Sequence, residues 1–468
     1  MKYSTKNIHI SLLLICLCFL LMGQGGPCTP SPPQPTGCLQ PSAPAGSFAV
    51  VSTSPCDKDV NVPTETTIRV TFNGSADPST LGGVIRPQVD LVLQWSNNNT
   101  QVDIQFANPL QANTTYTFIV NAVFDTNGNS LYQTVQVCFS TGSTLGECHT
   151  SLSCQQPSVT DPNVSAFSSY NYSPFFASNS FWNTPIGSNP QIDQNSSTMI
   201  DRFNQVVSQF SGIWLGFDHD VVPIYFADAN TPQQNVTLTA LWSPITTRSN
   251  VPIPSHALPD CGDDNFMSIL DTVNNVFYDF WQVTKQSDGS WSGSWVSSPL
   301  AANGDGSFPG TFEDAKMGVR VSQFPLATGL VWPHELSAGK IEHALVFAYN
   351  FTRSGVYSTP AKGTDGANND LSAIPIGALL QLDPSLNLDT LNLTAYEKVI
   401  ANALQNYGMY LGDSGGGISI SLVHPYSFAG NPYTGLLPDS VITEGGILLD
   451  KIPADRFRVL QMNLVQAN

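Results

Sequence analysis

Glu342 and His343 stand side by side in the run K-I-E-H-A-L-V-F-A-Y-N-F, residues 340–351. A carboxyl and an imidazole beside apolar side chains are costly to bury without partners. Where such groups face a cleft, they are placed for acid–base chemistry. Loop-like stretches supply more carboxylates. Asp260-Cys261-Gly262-Asp263-Asp264 follows Pro252, Pro254 and Pro259, and Asp218-His219-Asp220 makes a second acidic group. Adjacent carboxylates repel unless a cation or a shared proton relieves them. Each cluster is therefore either an exposed acidic turn, with calcium as the ion it would hold, or part of a catalytic carboxylate pair. Asp413 in Gly412-Asp413-Ser414-Gly415-Gly416 and Asp365 in Asp365-Gly366 are further acids in turn-forming sequence.

Paired acids suit hydrolysis of a glycosidic bond, in which one carboxyl protonates the leaving oxygen and another attacks or activates water. Glu342 is the expected acid, because burial beside an apolar strand raises its pKa. Asp264 or Asp413 is the expected ionised partner, with His343 alongside. Trp182, Tyr407, Asp365 and His256 are expected to meet substrate. Each has a plainer role open to it: tryptophan in the core, His256 in a loop, Asp365 in a turn. A polysaccharide lyase is the near variant, with His343 or Tyr407 taking a proton next to a uronate carboxylate. It needs cations, for which Arg320, Lys340 and Arg353 are available. A non-catalytic surface or adhesion protein is the rival from another class. Gly412–Gly416 also spells the nucleophile motif of trypsin-like proteases, but no Ala-Ala-His-Cys stretch precedes it and no cysteine flanks Ser414. No C-x-x-C or H-E-x-x-H spacing occurs, so no metal or cofactor beyond calcium is expected.

These side chains need a frame. The run 340–351 reads as a strand, with Ile341, His343, Leu345, Phe347 and Tyr349 on one face and Glu342, Ala344, Val346 and Ala348 on the other. Both faces are mostly apolar, which places it at the centre of a large covered sheet. Helical spacing appears over 197–210, capped by Ser196 or Ser197, and over 394–407, where Thr394 and Glu397 form a capping box ahead of Gly408. The other apolar runs are short and strand-like. The expected fold is all-β: an N-terminal Ig-like sandwich, then a larger two-sheet sandwich or jelly roll carrying two helices.

The remaining sequence sets the address. Lys2, Lys6 and the apolar run 10–22 form a leader over 1–25, too short to span a membrane. The chain has 17 Lys and Arg against 35 Asp and Glu, a formal charge of −18. That balance argues against nucleic acid and anionic membranes as partners. An extracellular polysaccharide is the expected partner, with the mature chain secreted or on the cell surface and not inserted in a membrane. Beyond the leader stand Cys28, Cys38, Cys56, Cys138, Cys148, Cys154 and Cys261. Spacing points to Cys28–Cys38, Cys148–Cys154 and Cys56–Cys138, with Cys261 left over.

A Pro-rich segment over 26–46 precedes short alternating runs over 47–142. There V-V-S-T-S-P-C-D-K-D-V-N-V-P-T-E-T-T-I-R-V-T-F-N-G, the turn Asp125-Thr126-Asn127-Gly128-Asn129 and the final F-S-T resemble the bacterial Ig-like domain of S-layer and surface proteins. The resemblance implies a spacer or presentation module. After a linker over 143–166, residues 167–468 form the candidate catalytic domain. Its runs F-W-N-T-P-I, I-E-H-A-L, P-A-K-G-T-D-G and Y-G-M-Y-L-G-D-S-G-G resemble a group of secreted bacterial proteins without an assigned reaction. That likeness implies that His343, Asp365 and Asp413 belong to a shared pattern.

Overall fold

The computed structural model describes residues 38–148 and 175–467, apart from 41–42, 45, 87–88, 90, 107, 130, 133–134, 147, 263, 287, 310–317 and 429. The leader, most of both linkers, Cys28 and Cys154 lie outside the described residues. The fold is all-β with few helices.

The N-terminal sandwich has strands β1 (Cys38–Leu39), β2 (Val50–Ser54), β3 (Ile68–Phe72), β4 (Gly82–Arg86), β5 (Leu91–Ser96), β6 (Gln101–Phe106), β7 (Thr115–Ala122) and β8 (Val135–Ser140). They form two sheets, ordered β1-β2-β3-β6-β5 and β4-β7-β8. Alternation does the sorting: Ile68, Val70 and Phe72 of β3 are buried while Arg69 and Thr71 are half-exposed. Asp125 closes the turn after β7 by accepting the Asn127 and Asn129 N–H groups, each at 2.8 Å.

The disulfides differ from expectation. Cys38 pairs with Cys56, and Cys138 with Cys148. The register explains the first: β1 lies antiparallel on β2 with Cys38 opposite Thr53, so its Cα falls 5.4 Å from that of Cys56. The chain ends expected to be bridged by Cys56–Cys138 do meet, but through hydrogen bonds. Lys58 N–H donates to Cys138 O at 2.5 Å, and Cys138 N–H to Asp57 Oδ1 at 2.9 Å. With Cys38 and Cys148 so used, the Cys28–Cys38 and Cys148–Cys154 pairs do not form. Cys261 is disulfide-bonded and not a spare thiol.

In the larger region, Leu345–Tyr349 is the fourth of seven strands, ordered Gly446–Leu449, Ile213–Gly216, Ile418–Ser421, Leu345–Tyr349, Met409–Ser414, Leu379–Leu382 and Phe457–Val459. The central position expected of this segment is thus observed. Helix α1 (Ser196–Gln209) covers the Phe347 and Tyr349 face, with Phe203 packed on Phe347, Tyr349 and Phe457. Its N-cap is Asn195 rather than either serine. A short helix α2 (Pro333–Ala338) precedes the central strand, and α3 (Ala395–Asn406) precedes Met409–Ser414. The α3 cap is as read: the Glu397 carboxylate accepts from the Thr394 N–H and hydroxyl, both at 2.6 Å.

The remaining strands form three further sheets among the described residues, where two sheets in all were expected. One runs Ile224–Ala227, Met267–Asp271, Val276–Trp281 and Trp295–Val296, with Leu300–Ala301 beside it. Another runs Thr247–Pro252, Gln233–Leu238, Trp291–Gly293 and Thr284–Lys285; the third joins Ile374–Ile376, Thr352–Ser358 and Leu464–Gln466. Parallel pairs occur in all four sheets of this region. Local alternation reveals strands, but sheet membership depends on partners far apart in sequence.

Candidate functional site

Between the seven-stranded sheet and the sheet bearing Trp281 and Trp295 lies a cavity of about 720 Å³. Its wall holds the carboxylates of Asp264, Asp365 and Asp413, the rings of Trp242, Trp281 and Trp295, Ser414, and apolar side chains including Phe266 and Val321.

Asp413 comes from the end of Met409–Ser414, which runs parallel to the central strand. The register there jumps: Phe347 faces Leu411, but Ala348 faces Asp413. Gly412 is thus the extra residue of a bulge, and a bulge re-aims the side chain that follows. A Cβ on Gly412 would stand 2.4 Å from Val346 Cγ2, so only glycine lets the bulge lie against the central strand. Gly412-Asp413-Ser414 therefore ends a strand that follows α3 after two intervening residues, and does not sit directly on a helix end. Asp413 is enclosed on most sides with some of its surface open to the cavity. Burial raises its pKa to about 7; Arg320 opposes the rise, and Asp365 and Asp264 add to it.

Arg320 is buried behind Asp413, its Nη1 donating to Pro325 O at 2.9 Å. On another side lies Asp279, also buried, accepting from Leu326 N–H at 2.8 Å and Ser268 Oγ at 2.7 Å. Burial lifts Asp279 to about 6, and Arg320 restrains it. The charge of one guanidinium thus acts on two carboxyls, Asp279 and Asp413.

Asp264 is set by the Pro-rich loop. Asp260, buried at its base, accepts the N–H of Asp220 at 2.8 Å, of Gly262 at 3.0 Å, and of Phe266. Burial, reinforced by Asp220, holds the Asp260 pKa well above the usual carboxylate range. Asp220 Oδ1 in turn accepts from Asp264 N–H at 3.4 Å, and Trp281 Nε1–H donates to Asp264 Oδ1 at 2.8 Å. The two acidic clusters are thus one scaffold under Asp264. Asp365 stands exposed at the rim, accepting from Ser414 Oγ at 2.7 Å, with Thr352 Oγ1 3.1 Å from the same hydroxyl. No histidine lines the cavity among the described residues, so Ser414 lacks the base a protease needs.

The aromatic wall is layered. Trp281 lies opposite Trp295 across paired strands, and the Trp242 ring sits 5.1 Å from that of Trp295. Trp295 is buried, and its indole N–H has no hydrogen-bond acceptor among the described residues.

Five of the eight expected site residues lie elsewhere. Glu342 is exposed and ion-paired with Lys340 at 2.8 Å, because α2 ends at Gly339 in the left-handed conformation and residues 340–344 are loop. Without burial it has no reason to act as the acid. His343 is buried, with Nε2 3.0 Å from Glu335 Oε1 and Nδ1–H donating to Ala344 O at 2.9 Å. Burial pulls its pKa down, but Glu335 outweighs this and the net direction is up. It borders a separate void of about 20 Å³ with Trp182. Trp182 is core, its Nε1–H donating to Gly306 O at 2.9 Å. Tyr407, half-buried at the end of α3, has its pKa raised by burial and then by Glu342. His256 packs edge-on against Tyr225, ring centres 5.7 Å apart. None of the five lines the cavity. What sequence reading assigned differently is Arg320, taken as a substrate-facing cation, and Trp281, whose N–H orients Asp264. Among the described residues no group of three or more His, Cys, Asp or Glu side chains has the geometry to hold a metal ion.

Residues 45–141 match the model of the bacterial Ig-like domain family. No curated protein matches the chain. Similar solved structures include L,D-transpeptidase 3 from Mycobacterium tuberculosis, at 17% identity over 20% of this chain and 37% of that one, TM-score 0.16. Surface layer protein SbsC, domains 1-6, aligns at 19% identity over 22% of this chain and 14% of that one, TM-score 0.17. CopC from Methylosinus trichosporium OB3b aligns at 16% identity over 21% of this chain and 99% of that one, TM-score 0.17. The chain spans well under half of the transpeptidase, and at these scores the alignments carry no argument about activity. Residues 45–141 are a bacterial Ig-like domain.

Proposed function

We propose that the cavity is the active site of a secreted glycoside hydrolase acting on an extracellular polysaccharide. One observation carries this reading: Asp413, with a pKa near 7, shares an aromatic-walled cavity with Asp264 and Asp365. A carboxyl that keeps its proton near neutrality is a general acid, and Asp413 gives that proton to the glycosidic oxygen. Asp264 is the partner that attacks the anomeric carbon or activates water. The tryptophan faces take up the apolar faces of sugar rings. The two disulfide pairs fit an oxidising compartment, and no helix among the described residues is long and apolar enough to cross a membrane.

The lyase variant has less support, because His343 and Tyr407 are outside the cavity and its described lining includes no Lys, Arg or His. A non-catalytic glycan binder is favoured by one feature, the fully exposed Leu241 beside Trp242 at the rim. Reducing-sugar release from a panel of neutral, amino and acidic polysaccharides separates the readings. Hydrolysis is expected, with NMR of the first-formed anomer telling retention from inversion. Binding without release by the wild-type chain, together with unchanged binding by Asp413→Asn, would leave the binder.

A further inference from the structure

We infer that the cavity selects sugar units that carry no negative charge, neutral or amine-bearing, and rejects acidic glycans. This rests on the glycan reading above and deepens it. All the ionisable side chains in the described lining are carboxyls: Asp264, Asp365 and Asp413. Arg320 is buried, with its guanidinium bonded to Pro325 O and attracted by Asp413 and Asp279 behind the wall. A uronate or sulfate would meet like charge with no cation in the described lining to answer it, and such juxtaposition rejects a partner strongly.

A second observation points to a polar ligand independently of the acids. Trp295 is 2% exposed, lines the cavity, and its indole N–H has no acceptor among the described residues. A buried donor left without a partner is costly, and a hydroxyl or ring oxygen of a sugar supplies one. The wall therefore offers donors in Trp295 and protonated Asp413, and acceptors in Asp264 and Asp365. Hydroxyls satisfy both kinds, and an ammonium satisfies the acceptors.

The test uses three oligomers with one backbone and different charge: β-1,4-linked hexamers of glucose, glucosamine and glucuronate. Binding to the full-length Asp413→Asn chain is followed by tryptophan fluorescence, so turnover does not interfere. The glucuronate hexamer is expected to bind at least about tenfold more weakly than the tighter of the other two, from like-charge contact. The glucosamine arm alone should weaken in about 0.3 M salt. Asp365→Lys, at an exposed position, is expected to narrow the glucuronate deficit several-fold. Glucuronate binding as tightly as the others, an unmoved deficit in Asp365→Lys, or no binding by any hexamer overturns the inference. A chain that hydrolyses glycans yet prefers the acidic hexamer sinks this inference and leaves the hydrolase reading standing.

Discussion

Asp413 sets the pH behaviour of the proposed chemistry. Its proton must be present for the acid step, so kcat is expected to fall about tenfold per unit as pH rises above about 7. The same shift has a stability sign. The folded state keeps a proton that the unfolded chain releases near pH 4, so stability declines as pH rises from about 4 to about 7. Asp413→Asn removes that penalty. It should gain on the order of 1–2 kcal/mol at pH 8, allowing for solvent in the cavity, and nothing at pH 4. Its kcat should drop roughly 10²–10⁴-fold. Melts at both pH values, with kinetics at pH 6, check the pair; a kcat within twofold of wild type removes Asp413 as the acid. Arg320→Met is expected to move the alkaline limb of the pH profile upward by about one unit, since Arg320 holds Asp413 down. An unmoved limb would disconnect the two. Asp264 and Asp365 stood out in sequence because each sits among prolines or glycines that form loops and turns; the glycines around Asp413 read the same way, but Gly412 is a bulge in a strand. The influence of Arg320 on Asp413 was not legible, because it joins residues distant in sequence through the fold.

At the level of elements, the misplacement of Glu342 and His343 has a local cause. Residues 340–344 alternate as a strand would, but the six-residue α2, too short to show periodicity, ends in a left-handed turn that delays the strand to Leu345. Glu335 on α2 then captures His343, and the pair ties that helix to the loop before the central strand. His343→Gln leaves Glu335 buried without its cation and is expected to cost about 3 kcal/mol. The His343 pKa is raised on folding, so the pair's contribution is present in full below the unfolded value near 6.5 and fades as pH rises through the folded value. Chemical denaturation at pH 5 and pH 9 should show the larger loss at pH 5. A loss that grows at pH 9 would contradict the assigned charge state. The long helices and the central strand, by contrast, were readable because their signals span whole elements.

Across the whole molecule, the Ig-like core, built on residues such as Ile68, Val102 and Phe139, is separate from the cores around the central strand and around Trp295. Phe124 of the sandwich meets Phe210, at the end of α1, with ring centres 5.6 Å apart. The sandwich as a fold was legible, since its strands pair mainly with near neighbours in sequence. The four-sheet region was not, because its parallel pairs bring together distant strands. Replacing Cys38 and Cys56 with serine should therefore destabilise the Ig-like domain by about 3 kcal/mol while glycan hydrolysis is unchanged. Domain-resolved calorimetry and initial rates test both halves; a matching fall in rate would show that the two regions do not act independently.

The two cystine clasps also decide how the molecule answers tension. A pull along the N-terminal segment crosses at Cys38 directly to Cys56, and on the far side leaves through Cys138 to Cys148. Strand β2, lying between the first two sulfurs, is short-circuited and bears no load. Within the Ig-like domain, stretching can unravel the chain between Cys56 and Cys138, while the segments inside the two cystine loops add no length. In a single-molecule pulling trace, adding a reductant should lengthen the rupture step, as it would for a tether built to yield by a fixed amount.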